Sequence, residues 1–267
     1  RPAGRGKRML FSSVALFAQR NGLNIKYVEN FKEANEISYL KRLKADLVVV
    51  VSYGIILPKE IISHTRYGCF NVHPSLLPRW RGAAPIQRAL LENDARTGVC
   101  IIRMDEGLDT GPICLQEELC IDKNDNYGSL HTKLSLIGAK LILHLLNIID
   151  EVKFTEQSET EVIYAEKIEK VETRLNWHTE ACNVVSKIRA FSPNPGAWFN
   201  CRGERIKILS GKVGNKTGIP GQVLNSSLEI ACSEGSIVPK VVKRSGKSAM
   251  KVEEFLRGFT ISEGTLL

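Results

Sequence analysis

Asn71 and His73 stand two apart where the run GCFNVH gives way to PSLLPRWRGAAP. An imidazole with a pKa near ~6.5 takes or gives a proton at neutral pH. A carboxamide donates hydrogen bonds to a developing oxyanion and can fix a histidine tautomer. Acyl transfer uses both functions. A carboxylate that orients the imidazole and balances its charge would complete the set. MDEGLDTG offers Asp105, Glu106 and Asp109, with Gly107 and Gly111 making the loop tight. The same acids also suit plain turn and cap roles. A single histidine at a strand end is usually structural, and that reading is kept for His64, His131, His144 and His178.

The elements around the pair decide whether it can act. Period-two geometry puts Asn71 and His73 on one face of a strand. Pro74 favours an extended conformation at His73. Ligands of open α/β sheets bind beyond the carboxyl ends of the strands. SSVALFAQRNGL reads as a helix stopped by Gly22, NIKYVE as a short strand, and KEANEISYLKRLKA as a second helix. DLVVVVSYG is a β-branched run of the kind buried on both faces. LPKEIISHT is a short helix with Pro58 near its start. After the strand GCFNVH come the helix GAAPIQRALLEND, the strands TGVCIIRM and GPICLQEELCI, and the long helix NYGSLHTKLSLIGAKLILHLLNII. This alternation predicts an α/β fold over residues 1–150, a Rossmann-like, mainly parallel sheet with helices on both faces.

EVKFTEQSETEV is charged and polar, and residues 151–172 read as a linker. WHTEACNVVSKIRAF is one more helix, with Thr179 as its N-cap. Short segments separated by Gly, Asn and Ser follow, from AWFNCRG to SIVPKVVKR. They predict a small β-barrel, OB-like, within residues 173–267. DKNDNYG fails as a calcium loop, since its Gly falls one place late and Lys133 holds position twelve; it reads as a turn capping the next helix.

Net charge is +8, and its placement is uneven. Residues 171–267 carry 14 Lys and Arg against 8 Asp and Glu; residues 1–170 carry the remaining 23 against 21. Arg1, Arg5, Lys7 and Arg8 crowd the start. Such a field favours polyanions, nucleic acid first among them. The seven cysteines form no CxxC pair, which argues against zinc and for a reducing compartment. No apolar run reaches the ~18 residues of a membrane span, and the opening RPAGRGKRML lacks the core of a signal peptide.

FNVHPSLLPRWRGAAPIQRALL followed by TGVCIIRMDEGLDTGPI resembles the signature of the folate-dependent formyltransferases. The shared core is Asn-x-His before Ser-Leu-Leu-Pro, with an Asp 36 positions after the His; Asn71, His73 and Asp109 match it. RWRGAAPIQ, the initial RPAGRGK and YAEKI narrow the resemblance to the branch acting on initiator tRNA. It covers nearly the whole chain, strongest over 45–112 and weakest after Gly211.

The resemblance implies formyl transfer from 10-formyltetrahydrofolate to the α-amino group of initiator methionyl-tRNA, releasing tetrahydrofolate and needing no metal. Asn71, His73 and Asp109 would be the catalytic trio. The folate would lie by Ser75, Leu76, Leu77 and Pro78 and against the backbone of Ile55 and Leu57. Met104, Asp105, Glu106 and Gly107 would close the other side. The tRNA would meet Arg1, Arg5, Lys7 and Arg8 in the N-terminal loop, and Arg205, Lys207, Lys243, Arg244 and Lys247 in the second domain. Arg79 and Arg81 are expected near the tRNA end or the folate tail, with Trp80 half-buried. A monomer away from membranes is expected, in bacterial cytoplasm or alternatively an organelle matrix. Two departures stand out. The family's opening strand-helix-strand is absent ahead of RPAGRGK, and FTISEGTLL lacks the expected basic tail. The alternatives are a formyltransferase for an amino-sugar nucleotide, a formyltetrahydrofolate hydrolase module, and a non-catalytic RNA-binding protein on the same fold.

Overall fold

The computed structural model describes residues 11–267 and, before them, the paired strands β1 (Pro2–Ala3) and β2 (Arg8–Met9). Arg1, Arg5, Lys7 and the Arg8 side chain, all expected at the tRNA, lie outside the described residues. Helix α1 (Ser13–Arg20) starts where the Ser12 hydroxyl accepts the Ala15 N–H at 3.1 Å. NIKYVE forms no strand, contrary to expectation. Its alternating pattern finds no partner among the described residues, and a pleated segment is held by its neighbours rather than by intrinsic preference. Helix α2 (Ala34–Arg42) follows.

Strand β3 (Leu47–Val51) lies parallel to β4 (Gly68–His73), with α3 (Lys59–Ile62) in the crossover. Next come β5 (Arg79–Gly82), α4 (Pro85–Leu91), β6 (Arg96–Arg103) and β7 (Ile113–Cys120). The four-stranded sheet runs β3-β4-β6-β7. It belongs to the α/β class but is mixed: only β3–β4 is parallel, while β6 runs antiparallel to β4, and β7 to β6. The loop 104–112 explains the last pair, because it is shorter than the dozen or so residues a parallel crossover needs. Helix α5 (Tyr127–Ile148) begins at a capping box in which Asn126 and Ser129 satisfy each other's main chain, so DKNDNYG is the expected cap. Its buried stripe, Leu130, Leu134, Leu141 and Leu145, covers the sheet, and Gly138 lets it approach Val72 closely.

The segment expected to be a linker is stitched to the sheet. Thr155 exchanges two 2.8 Å main-chain hydrogen bonds with Ile113, and β8 (Ile163–Ala165) pairs in parallel with β5. Helix α6 (Ala181–Phe191) starts at Glu180, not Thr179. The Thr179 hydroxyl donates to Asn176 O instead, and the Ala181 N–H is satisfied by Glu234 O at 3.0 Å. Beyond it, β9 (Ala197–Cys201), β10 (Glu204–Gly214), β11 (Ile230–Ala231), β12 (Ser236–Arg244) and β13 (Ala249–Lys251) form an antiparallel sheet ending in α7 (Val252–Gly258). Its pairings run β11-β12-β10-β9 with β13 on β12; among the described residues the two ends do not join into a closed barrel. The tail is tied back by Gly264 N–H on Val223 O and Leu267 N–H on Gly221 O.

One apolar core joins the two parts. Phe70, Leu90 and Leu130 pack in the same cluster as Val184, Ile188 and Phe191 of α6 and Ile206, Ile208 and Val242 of the C-terminal sheet. Each such side chain stabilises by roughly 1.5–3 kcal/mol when buried. No helix among the described residues is long and apolar enough to cross a membrane.

Candidate active site

The end of β4 brings Asn71 and His73 to the loop that carries Asp109. Asn71 Nδ2 donates to Asp109 Oδ1 at 3.0 Å, which fixes which end of the amide faces the acid. His73 Nδ1 lies 3.5 Å from Asp109 Oδ2. The other ring nitrogen, Nε2, is 2.9 Å from the Trp80 carbonyl. A carbonyl only accepts, so Nε2 carries the hydrogen, and Nδ1 is where a proton arrives and leaves. His73 is 3% exposed. Burial pushes its pKa below the ordinary value, against the opposing pull of Asp109 and the Trp80 carbonyl, so the resting ring is neutral at pH 7.

Left-handed backbone aims two of these groups. Trp80 has φ +68, which turns its carbonyl towards His73, and Asp109 has φ +55. Asp94 holds the first turn. It accepts both Arg79 Nε and Nη2, at 2.9 and 2.7 Å, and Trp80 Nε1 at 2.7 Å. Gly82, at φ +118, donates its N–H to Asp109 Oδ2 at 2.9 Å; a Cβ there would stand 2.9 Å from the Ala165 carbonyl. Gly111 is equally constrained, since a Cβ would collide with the Arg103 carbonyl. Gln157 Nε2 donates to the main-chain oxygens of Asp109 and Gly111 at 2.8 and 2.7 Å.

A cavity of about 570 Å³ runs over this edge of the sheet. Asn71, His73 and Asp109 line it, as do Ile55, Leu57, Met104, Asp105, Glu106 and Gly107 from the expected folate set. Asp105 Oδ1 knots the loop by accepting the Gly107 N–H at 3.0 Å and the Thr110 hydroxyl at 2.6 Å, and Glu106 pairs with Lys59. Ser75, Leu76, Leu77 and Pro78, from the same expected set, are not among the residues lining this cavity. The Ser75 hydroxyl donates to Arg79 O at 2.6 Å, and Leu77 packs inward against Cys100 and Ile102. That turn supports the histidine loop from behind.

The basic residues divide similarly. Arg79 is committed to Asp94, and Arg81 is buried with Nε on Gln157 Oε1 at 2.9 Å, so neither is presented to a ligand as expected. Trp80 is buried, not half-buried. Arg244 forms a two-pronged pair with Glu204 at 2.9 and 2.7 Å. Lys207 reaches the Pro195 carbonyl and sits opposite Lys243 across β10 and β12. Arg205 lies 3.7 Å over the Trp198 ring, exposed on the outer face, and Lys247 is exposed in the turn after β12. Sequence reasoning missed Gln157, Asp94 and the main-chain groups of Trp80 and Gly82. None carries a local signal, because their roles arise from contacts between distant segments.

A family model described as "Formyl transferase" matches residues 1–146, and one described as "Formyl transferase, C-terminal domain" matches residues 167–260. A protein of Jannaschia sp. named methionyl-tRNA formyltransferase is 45% identical over 267 residues, covering 100% of this chain and 88% of that protein. Its namesake from Ruegeria pomeroyi is 43% identical, covering 100% and 89%. Among solved structures, an N-formyltransferase from Helicobacter canadensis, in complex with folinic acid and dTDP-3-aminofucose, superposes with a TM-score of 0.66 at 19% identity. It covers 85% of this chain and 82% of that one. HypX from Aquifex aeolicus, in complex with tetrahydrofolic acid, gives 0.65 at 18%, covering 87% and 44%. At these identities the structures speak for the fold alone.

Proposed function

The chain belongs to the formyl transferase family, and from that premise we propose that it moves a formyl group from 10-formyltetrahydrofolate to the α-amino group of methionyl initiator tRNA. The observation that carries the reading is the joining of Asn71, His73 and Asp109 at one cavity within a chain 43–45% identical, end to end, to proteins named for that reaction. The relatives are bacterial, which supports a cytoplasmic setting.

The cavity suits a reduced folate. Its volume falls in the ~300–1,000 Å³ range of small-molecule sites. Ile55, Leu57, Ile62, Ile102, Met104 and Leu108 give it apolar walls. Among the described residues no hydrogen bond uses the main-chain N–H or C=O of Ile55 or Leu57, so both can meet the edge of a flat heterocycle. The donor supplies an activated formyl carbon on nitrogen. The amine forms a new C–N bond, the old one breaks, and one amine proton ends on the departing nitrogen.

This chain's residues serve each part. The second Nδ2 hydrogen of Asn71 is free of Asp109 and stabilises the charge growing on the formyl oxygen. Neutral His73 takes the amine proton at Nδ1, directly or through water. Asp109 then faces the imidazolium it has created and lowers its cost. The outer face of the C-terminal sheet, with Arg205 over Trp198 and Lys207 beside Lys243, presents the cationic and aromatic surface suited to RNA.

Arg205→Ala should weaken tRNA binding at every salt concentration and reduce the slope of log K against log salt by about one unit or less. Filter binding across a salt series measures it; an unchanged affinity and slope would remove Arg205 from the interface. The acceptor is tested by comparing kcat/KM for methionyl initiator tRNA with that for a dTDP-linked amino sugar. Preference for the sugar would overturn the assignment.

A further inference from the structure

We propose that Gln157 is a positioning residue for Asp109, so that the strap leading to the C-terminal part sets the geometry of the reaction. The proposal rests on the function given above. Asp109 sits in the loop between β6 and β7 with a left-handed backbone, φ +55, a conformation that aspartate tolerates better than most side chains but that still needs its surroundings to hold it. One buried carboxamide does so. Gln157 Nε2 donates to Asp109 O at 2.8 Å and to Gly111 O at 2.7 Å, bridging the two carbonyls that bracket the bend.

The amide has one possible orientation. Its nitrogen faces two groups that only accept. Its oxygen faces Arg81 Nε, which only donates, at 2.9 Å. Turning the amide over would break all three bonds. Arg81 is 1% exposed and is itself placed by β5, whose Gly82 gives its N–H to Asp109 Oδ2. Among the described residues Arg81 Nη2 has no hydrogen-bond partner and lies 3.8 Å from Glu159 Oε1, and the hydrogen bond they give this guanidinium is the one from Nε to the Gln157 amide.

The strap therefore grips Asp109 from both sides. Thr155 pairs with Ile113 at the foot of the loop, Gln157 holds the loop's crest, and β8 holds β5. Gly82 of β5 is the part of this frame that touches the carboxylate itself, which in turn meets Asn71 at 3.0 Å and His73 at 3.5 Å. The His73 contact is the long one, and it is the one a shift of the loop would lose first.

The test uses Gln157→Glu in the full chain. A glutamate keeps a partner for Arg81 but cannot donate to either carbonyl. With rates normalised to titrated active sites, kcat should fall ~10–100-fold while KM for both substrates stays within ~3-fold. The acid limb of the pH profile should move towards its position in Asp109→Asn. In an Asp109→Asn background, the same change should cost less than ~3-fold, because the carboxylate it positions is already gone. Gln157→Met, of similar length and without donors, repeats the test should the glutamate fail to fold. Turnover within ~2-fold of wild type in the folded variant overturns the proposal. So does an equal loss in both backgrounds, which would mark Gln157 as a support for the fold alone. A wild-type chain that formylates nothing would instead refute the function and, with it, the positioning role that rests on it.

Discussion

His73→Ala should lower kcat at least ~10²-fold while the protein stays folded. The ring can take a proton at Nδ1 at neutral pH, its other nitrogen being committed, through Nε2–H, to the Trp80 carbonyl. Alanine leaves Asn71 and Asp109 bonded to each other, so the oxyanion donor survives and KM for the folate should change little. The pH dependence carries the same claim. Burial lowers the His73 pKa, so the wild-type rate should fall only as pH drops below ~6.5, where Nδ1 becomes protonated and stops accepting. That acid limb should be missing from the alanine variant. Initial rates across pH 5 to 8, with circular dichroism as the folding control, measure both. Wild-type turnover in the variant would remove His73 from the mechanism.

Asp109→Asn should cost about 10³-fold in kcat. Asparagine is nearly isosteric and can still accept the Gly82 N–H, so the loop should keep its course. It cannot stabilise the imidazolium, and its amino group would oppose either Asn71 Nδ2 or the protonated Nδ1. Asp109 raises the His73 pKa, so removing its charge should shift the acid limb to lower pH. A limb that moved upward, or a loss below ~10-fold, would show that the carboxylate does not face a protonated ring during the reaction.

Much of this site is legible in the sequence because its chemistry is local. Asn71 and His73 share a strand face by period alone, and the glycine-bounded loop points to an acid. The residues alone left Asp105, Glu106 and Asp109 as equals; the family spacing singled out Asp109, and the structure bonds that one to Asn71. The supporting groups could not be read. Gln157 sits in a stretch whose polar composition suggests a free linker, and only the register of β8 on β5 shows that it is a strap. In the stretch Ser75 to Pro78, which adjoins the histidine, sequence does not show that Ser75 and Leu77 turn inward, Ser75 bonded to Arg79 O and Leu77 on Cys100, while Leu76 and Pro78 stay half-buried. Arg79 and Arg81 look like ligand contacts because nothing in a sequence reveals that Asp94 and Gln157 already hold them. The parallel character of the sheet was likewise overread, since strand direction follows loop length as much as alternation.

The most direct test is the reaction itself. The full chain is incubated with 10-formyltetrahydrofolate and methionyl initiator tRNA, and both products are quantified. We expect N-formylmethionyl-tRNA and tetrahydrofolate in equal amounts, with the rate reduced at least ~10²-fold by His73→Ala. Tetrahydrofolate released without formylated tRNA, or formylated tRNA produced equally well by the His73→Ala variant, would contradict it.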